Sequence, residues 1–155
     1  MVEDRPHIGY EARDGVAVIT LSQPARMNAM TLDMWRDLPV KLRQADDDPA
    51  VRMITVSGAG ERAFCAGADI SEFGERRTGA AAVAAYGAAV KEANEALADT
   101  AKPTVALIKG ICFGGGFALA MCCDLRLATD DSRFRIPAAR LGLGYETRNI
   151  ASLVA

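Results

Sequence analysis

The chain opens with two short apolar, β-prone runs, residues 7–11 and 16–21, separated by Arg13, Asp14 and Gly15. Asp and Gly tolerate the positive φ of a tight turn, so this pattern predicts a β-hairpin. Residues 22–30 read as a loop, with Pro24 excluding further strand pairing. Thr31 is placed to cap a helix running towards Ala45, in which Leu32, Trp35, Leu38 and Leu42 recur at helical spacing. Pro39 lies inside that pattern and predicts a kink or a split. Residues 51–57 form a buried-strand pattern, and a glycine-rich loop follows from Gly58.

The longest helical segment spans residues 79–99. Alanine dominates it, Val83, Tyr86, Val90 and Leu97 supply an apolar side, and Lys91, Glu92, Asn94 and Glu95 a polar one. Pro103 introduces a strand over 104–108. The Gly114-Gly115-Gly116 turn leads into a short helix over 117–123, and 124–128 and 133–136 read as two more strands. Strands alternating with helices imply βαβ units, hence an α/β fold with largely parallel sheets. Residues 148–155 have a helical pattern that stops in apolar sequence, so a longer parent is expected.

At 155 residues the chain fits one domain, 1–155, with no linker or internal repeat visible. Composition places it among soluble globular proteins, 50% hydrophobic and 25% charged, with a formal charge of −2. No basic stripe suggests a nucleic-acid partner. The longest uncharged apolar stretch, 110–123, is too short for a membrane span, and the first fifteen residues lack a signal-peptide core. A cytoplasmic protein is expected. The adjacent Cys122 and Cys123 suit neither a disulfide nor a metal clip, so Cys65, Cys112, Cys122 and Cys123 are expected as buried thiols, and no metal site is expected. A lone histidine, His7, leaves little material for a Ser–His–Asp or Cys–His nucleophile.

The candidate chemistry lies in two glycine-bearing segments, 64–70 and 112–117. Small residues there let backbone approach a ligand closely, and helix N-termini leave unpaired N–H donors. Two such loops at neighbouring strand ends could aim two donors at one oxygen. Each alone has a purely structural reading, tight strand–helix packing for the glycines and a helix-start acid for Asp69. The GGG turn lacks the spacing of dinucleotide or phosphate loops.

In order, QPARMNAM, GERAFCAGADI, KPTVALIKGICFGGGFALAMCCDLRLA and SRFRIPAARLGLGY resemble the motifs of the crotonase (enoyl-CoA hydratase/isomerase) superfamily. The resemblance covers almost the whole chain. It implies a ββα spiral core of largely parallel sheets flanked by helices. It also implies an acyl-CoA thioester as substrate, with coenzyme A entering as part of that substrate and no separate cofactor. The N–H groups of Ala68 and Gly115 would form the oxyanion hole. Ala25, Arg26, Ala66, Ala68, Asp69, Ile70 and Gly115 would line the substrate, Arg26 towards the phosphates and Asp69 and Ile70 by backbone towards the adenine. The family continues into a helical region that closes over the acyl-CoA and builds a trimer. Here that region is absent, which would leave apolar faces without cover.

Two departures qualify the resemblance. Hydratases of this family carry one glutamate three residues after the middle glycine and another after the proline of the last motif. These positions are Ala118 and Ala138, and a methyl group moves no proton. Efficient hydration is therefore not expected. Glu146 falls near where dienoyl-CoA isomerases of the family place an acid, and Tyr145 near a tyrosine of certain decarboxylases. Glu146 is the candidate acid or base, with Asp69, Glu72 and Asp124 weaker. The alternative is a catalytically silent acyl-CoA-binding or assembly subunit.

Overall fold

The computed structural model describes residues 5–72, 74 and 79–137. The predicted hairpin forms, β1 (His7–Arg13) pairing antiparallel with β2 (Val16–Ser22). Asp14 and Gly15 turn the chain at φ of 52° and 82°. Every other pairing between strands is parallel.

These strands build two sheets, and the chain visits them alternately. β3 (Met53–Gly58), β5 (Thr104–Ile108) and β7 (Leu125–Ala128) extend the hairpin into a five-stranded sheet of order β1-β2-β3-β5-β7. β4 (Ala63–Cys65), β6 (Ile111–Phe113) and β8 (Arg133–Arg135) form a second sheet of order β4-β6-β8. Helix α2 (Ala80–Ala98) follows β4, and α3 (Gly115–Cys122) follows β6. Strand to the large sheet, strand to the small sheet, helix back: this is the expected ββα spiral with largely parallel sheets.

The core lies where helix α1 (Leu32–Asp47) packs on the large sheet and α2 packs in turn on α1. Ile19, Leu21, Ile54 and Val56 meet Trp35, Leu38, Leu42, Tyr86 and Leu97, all at most 1% exposed. Burying each such side chain contributes about 1.5–3 kcal/mol. Thr31 caps α1 as expected, its Oγ1 accepting the Met34 N–H at 3.2 Å.

Three expectations need correction. Pro39 does not split α1, which runs unbroken from Leu32 to Asp47. Proline removes one intrahelical donor, but Pro39 and its neighbours Leu38 and Leu42 are buried, and that packing outweighs one lost bond. On α2 the inward face is Tyr86, Ala89, Ala93 and Leu97, so Val83 is exposed and Asn94 is buried. So alanine-rich a helix carries little apolar asymmetry, and its facing is set by the partners it packs on. The three-residue strands β4 and β6 were not expected, since a glycine-rich loop was read from Gly58 and a glycine-bearing segment over 112–117.

On the β7 edge, Leu125 and Leu127 are 61% and 62% exposed, uncovered among the described residues. Also among these residues, no helix is long and apolar enough to cross a membrane.

Candidate functional site

β4 and β6 lie side by side in parallel, with Cys65 opposite Cys112. The loops after them therefore leave the same end of the small sheet. Gly67 sits at φ +103°, and a Cβ there would lie 3.2 Å from the Phe113 carbonyl oxygen and 3.3 Å from the Gly115 nitrogen. A Cβ on Gly115 would lie 3.2 Å from Cζ2 of Trp35 and 3.8 Å from the Ala68 nitrogen. One on Gly116 would come within 2.6 Å of the Cys65 Cβ. The loops touch through backbone: a Cβ has no room at Gly116, would press on Trp35 at Gly115, and at Gly67 would also meet the strain of a positive φ.

The hydrogen bonds at this contact are selective. Asp69 N–H donates to the Met30 carbonyl at 2.9 Å, and Gly114 N–H to that of Arg135 at 2.8 Å. Gly67 N–H donates to Cys65 Sγ at 3.3 Å. Among the described residues, the amides of Ala68 and Gly115 donate to nothing. Two adjacent, half-buried, unused donors are what remains, one of them at the positive end of α3.

Behind them stands a buried floor. The Trp35 indole N–H donates to the Tyr86 hydroxyl at 3.2 Å, which donates to the Met30 carbonyl at 3.4 Å. Met30 N–H in turn donates to the Gly67 carbonyl at 2.7 Å. The 23–30 loop is thus laced to the 66–69 loop, with a further bond from Ala66 N–H to the Met27 carbonyl at 3.0 Å. Asn28, at φ +55°, holds that loop from the other side through the Ala59 and Ala63 carbonyls, at 2.9 and 2.7 Å.

Asp69 is 4% exposed, yet carries four donors. Ser71 supplies its N–H at 3.0 Å and its hydroxyl at 2.7 Å; Gln23 Nε2 lies at 3.1 Å and Arg26 Nη1 at 3.3 Å. Burial pushes this carboxyl up, but the Ser71 and Gln23 hydrogen bonds and the Arg26 charge outweigh it and hold it below the ordinary value. Burial pushes the thiols of Cys65, Cys112 and Cys123 up to about 12, the state of inert buried cysteines.

Of the residues nominated from the sequence, those for the oxyanion hole and the substrate lining lie along one stretch of the surface. Ala66, Ala68, Asp69 and Gly115 stand together, Ala25 and Arg26 lie on the laced loop, and Ile70 is 68% exposed at its rim. The backbone N–H of Asp69 is committed to Met30, and its carbonyl already accepts from Glu72 N–H at 3.2 Å. Arg26 spends one nitrogen on Asp69 and keeps a side chain 55% exposed. Ala118 sits one helical turn after Gly115 and is buried. Glu72 Oε2 accepts the Leu32 N–H at 2.7 Å at the start of α1. Asp124 accepts the N–H and hydroxyl of Thr104 at 2.7 and 2.8 Å, joining β5 to β7. Ala138, Tyr145, Glu146 and the helical pattern at 148–155 lie outside the described residues. Sequence reasoning gave no site role to Gln23, to Trp35, read only as core, or to Ser71; only Ser71 left a signal, since a serine two residues after an aspartate is a local turn pattern.

Residues 11–148 match the family model described as enoyl-CoA hydratase/isomerase. The chain belongs to this family. It is 32% identical over 137 residues to a crotonyl-CoA hydratase of Syntrophomonas wolfei, covering 88% of this chain and 52% of that protein. It is 38% identical over 134 residues to the mitochondrial 3-hydroxyisobutyryl-CoA hydrolase of Rattus norvegicus, covering 86% and 35%. A solved enoyl-CoA hydratase/carnithine racemase from Magnetospirillum magneticum matches with a TM-score of 0.89 at 34% identity, over 94% of this chain and 55% of that one. The chain spans about half the length of the hydratase-type relatives it matches, and about a third of the hydrolase.

Proposed function

We propose that this chain carries the carbonyl-polarising part of an acyl-CoA enzyme. The observation behind this is the pair of adjacent, undonated amides at Ala68 and Gly115. Moving a proton beside a thioester puts negative charge on its carbonyl oxygen. Two fixed donors favour that charge, and deleting one such donor from an enzyme costs about 3 kcal/mol. Coenzyme A is then the handle of the substrate, held along Ala25, Arg26, Ala66 and Ile70, and no further cofactor is invoked. Arg26 offers its remaining guanidinium N–H groups to phosphate.

The reaction is an enolate-forming one other than efficient hydration. Ala118 occupies a position beside the donors where a proton-handling glutamate would serve a hydratase, and its methyl group cannot do so. Glu146 is the proposed acid or base. The same alanine favours a second reading, a subunit that binds acyl-CoA without turning it over.

Exchange of the thioester α-proton with deuterated water, followed by mass spectrometry, tests the proposal. Gly115 is the first residue of α3, where proline is tolerated. Gly115→Pro removes the N–H, and Gly115→Ala adds a comparable Cβ against Trp35 while keeping it. Exchange is expected to fall roughly 100-fold further in the proline variant than in the alanine one. Equal rates in the two variants would remove the oxyanion role of Gly115. Acyl-CoA binding without exchange in the unmodified chain would select the silent-subunit reading.

A further inference from the structure

A carboxylate is an odd neighbour for a place where negative charge is to develop. Asp69 directly follows Ala68, is almost wholly buried, and offers no free edge that accounts for its presence as a proton carrier. Its oxygens are taken up by Ser71, Gln23 and Arg26. Two of these partners come from the loop at 23–26, more than forty positions away in the chain. The backbone bonds from Met30 N–H to Gly67 and from Asp69 N–H to Met30 bracket Ala68 on both sides but leave its own amide free. Only Asp69, of the residues flanking Ala68, adds a side-chain tie to that bracket across the two loops.

We propose that Asp69 is a positioning residue, whose buried carboxylate, tied to Gln23, Arg26 and Ser71, sets the direction of the Ala68 N–H. The inference rests on the oxyanion reading above. Arg26 then does double service. Its charge offsets that of Asp69, so the carboxylate holds the loop without opposing the charge that develops on the substrate oxygen. It also links the end that would hold the phosphates to the amide that would hold the carbonyl, so grip at one end reaches the other through two side chains.

The test reads the bond that the amide would make. A saturated acyl-CoA with a 13C-labelled thioester carbonyl is bound to the protein at saturation, and the carbonyl stretch is recorded by difference infrared spectroscopy. The unmodified chain is expected to lower that stretch relative to free thioester. Asp69→Asn keeps the shape but sets an amide N–H against donors, and is expected to lose most of the lowering. Its α-proton exchange should fall about 10- to 100-fold, the scale of a misplaced catalytic group, with little change in acyl-CoA affinity. Arg26→Met, at a side chain 55% exposed that supplies only one of the four donors to Asp69, should lose part of the lowering and stay folded, with a smaller drop in melting temperature than Asp69→Asn. It provides the reading if the asparagine variant does not fold. A full lowering in both variants, or in Arg26→Met where the asparagine variant does not fold, overturns the role of Asp69 and leaves the oxyanion reading standing. No lowering in the unmodified chain overturns that reading and this inference with it.

Discussion

In the loop at 65–71, side chains do the fastening: the Cys65 sulfur takes the Gly67 amide, and the Asp69 carboxylate gathers four donors from two loops. In the turn at 113–116 there is almost nothing to fasten with. Gly114, at φ +52°, ties its amide to the Arg135 carbonyl, and Gly115 and Gly116 hold their places because Trp35 and Cys65 fill the space where side chains would go. One donor is held by polar chemistry and the other by steric exclusion. A site built this way should fail differently on its two sides, through charge on the first and through volume on the second.

The largest effect is expected from Gly116→Ala. The new Cβ would stand 2.6 Å from that of Cys65 and closer still to the Cys65 carbonyl oxygen. That oxygen belongs to β4 backbone, which cannot swing aside as a long side chain can. Overpacking of a core typically costs 1–3 kcal/mol, and contact with backbone belongs at the upper end; the better helix propensity of alanine returns up to about 1. A net loss of about 2 kcal/mol is expected, read as a lower urea midpoint at unchanged slope. An unchanged midpoint would show that α3 can move away from β4, and that the turn is not set by exclusion.

Gly67→Ala should come next in stability but first in damage to the site. An L-residue at φ +103° is strained by about 1–2 kcal/mol, and the added methyl would lie 3.3 Å from the Gly115 nitrogen, beside the proposed oxygen position. Thioester α-proton exchange is expected to fall by more than the midpoint shift alone implies. Gly116→Ala, by contrast, should show the reverse balance. Equal balance in the two variants would erase the distinction between the loops.

How much of this was legible beforehand follows the same division. The hairpin announced itself through Asp14 and Gly15, and α1 through Thr31 and its apolar spacing, because turns and caps are local. The exclusion-held turn was visible as three glycines, although what excludes their side chains was not. β4 and β6 were not visible as strands, since three residues carry no period. The inward face of α2 was misjudged at Val83 and Asn94 because alanine gives the pattern no contrast. Least legible was the Asp69 cluster, whose Gln23 and Arg26 partners are joined only by the spiral. The amides of Ala68 and Gly115 were nominated by family resemblance alone; no side chain marks a backbone donor.

Acid supplies the finest distinction. Hydrogen bonds and the Arg26 charge hold the Asp69 carboxyl below its ordinary 3.8. The folded chain therefore keeps this site ionised at a pH where the unfolded chain has already taken up a proton. Its stabilisation is fully present above the unfolded value, and is lost as pH falls below 3.8 and on through the lower folded value. Asp124 shifts the same way through its bonds from Thr104, so the acid limb of the whole protein does not isolate Asp69. A difference does. The melting temperature of the unmodified chain minus that of Asp69→Asn should be constant from pH 5 to 7 and shrink on acidification below about pH 4. The corresponding difference for Gly116→Ala should stay flat across the same range, because the Cys65 thiol in that contact, pushed up to about 12, stays protonated throughout it. A gap for Asp69→Asn that is as wide in acid as at neutrality would mean the loop is held by shape, as its partner is, and charge would have no part in it.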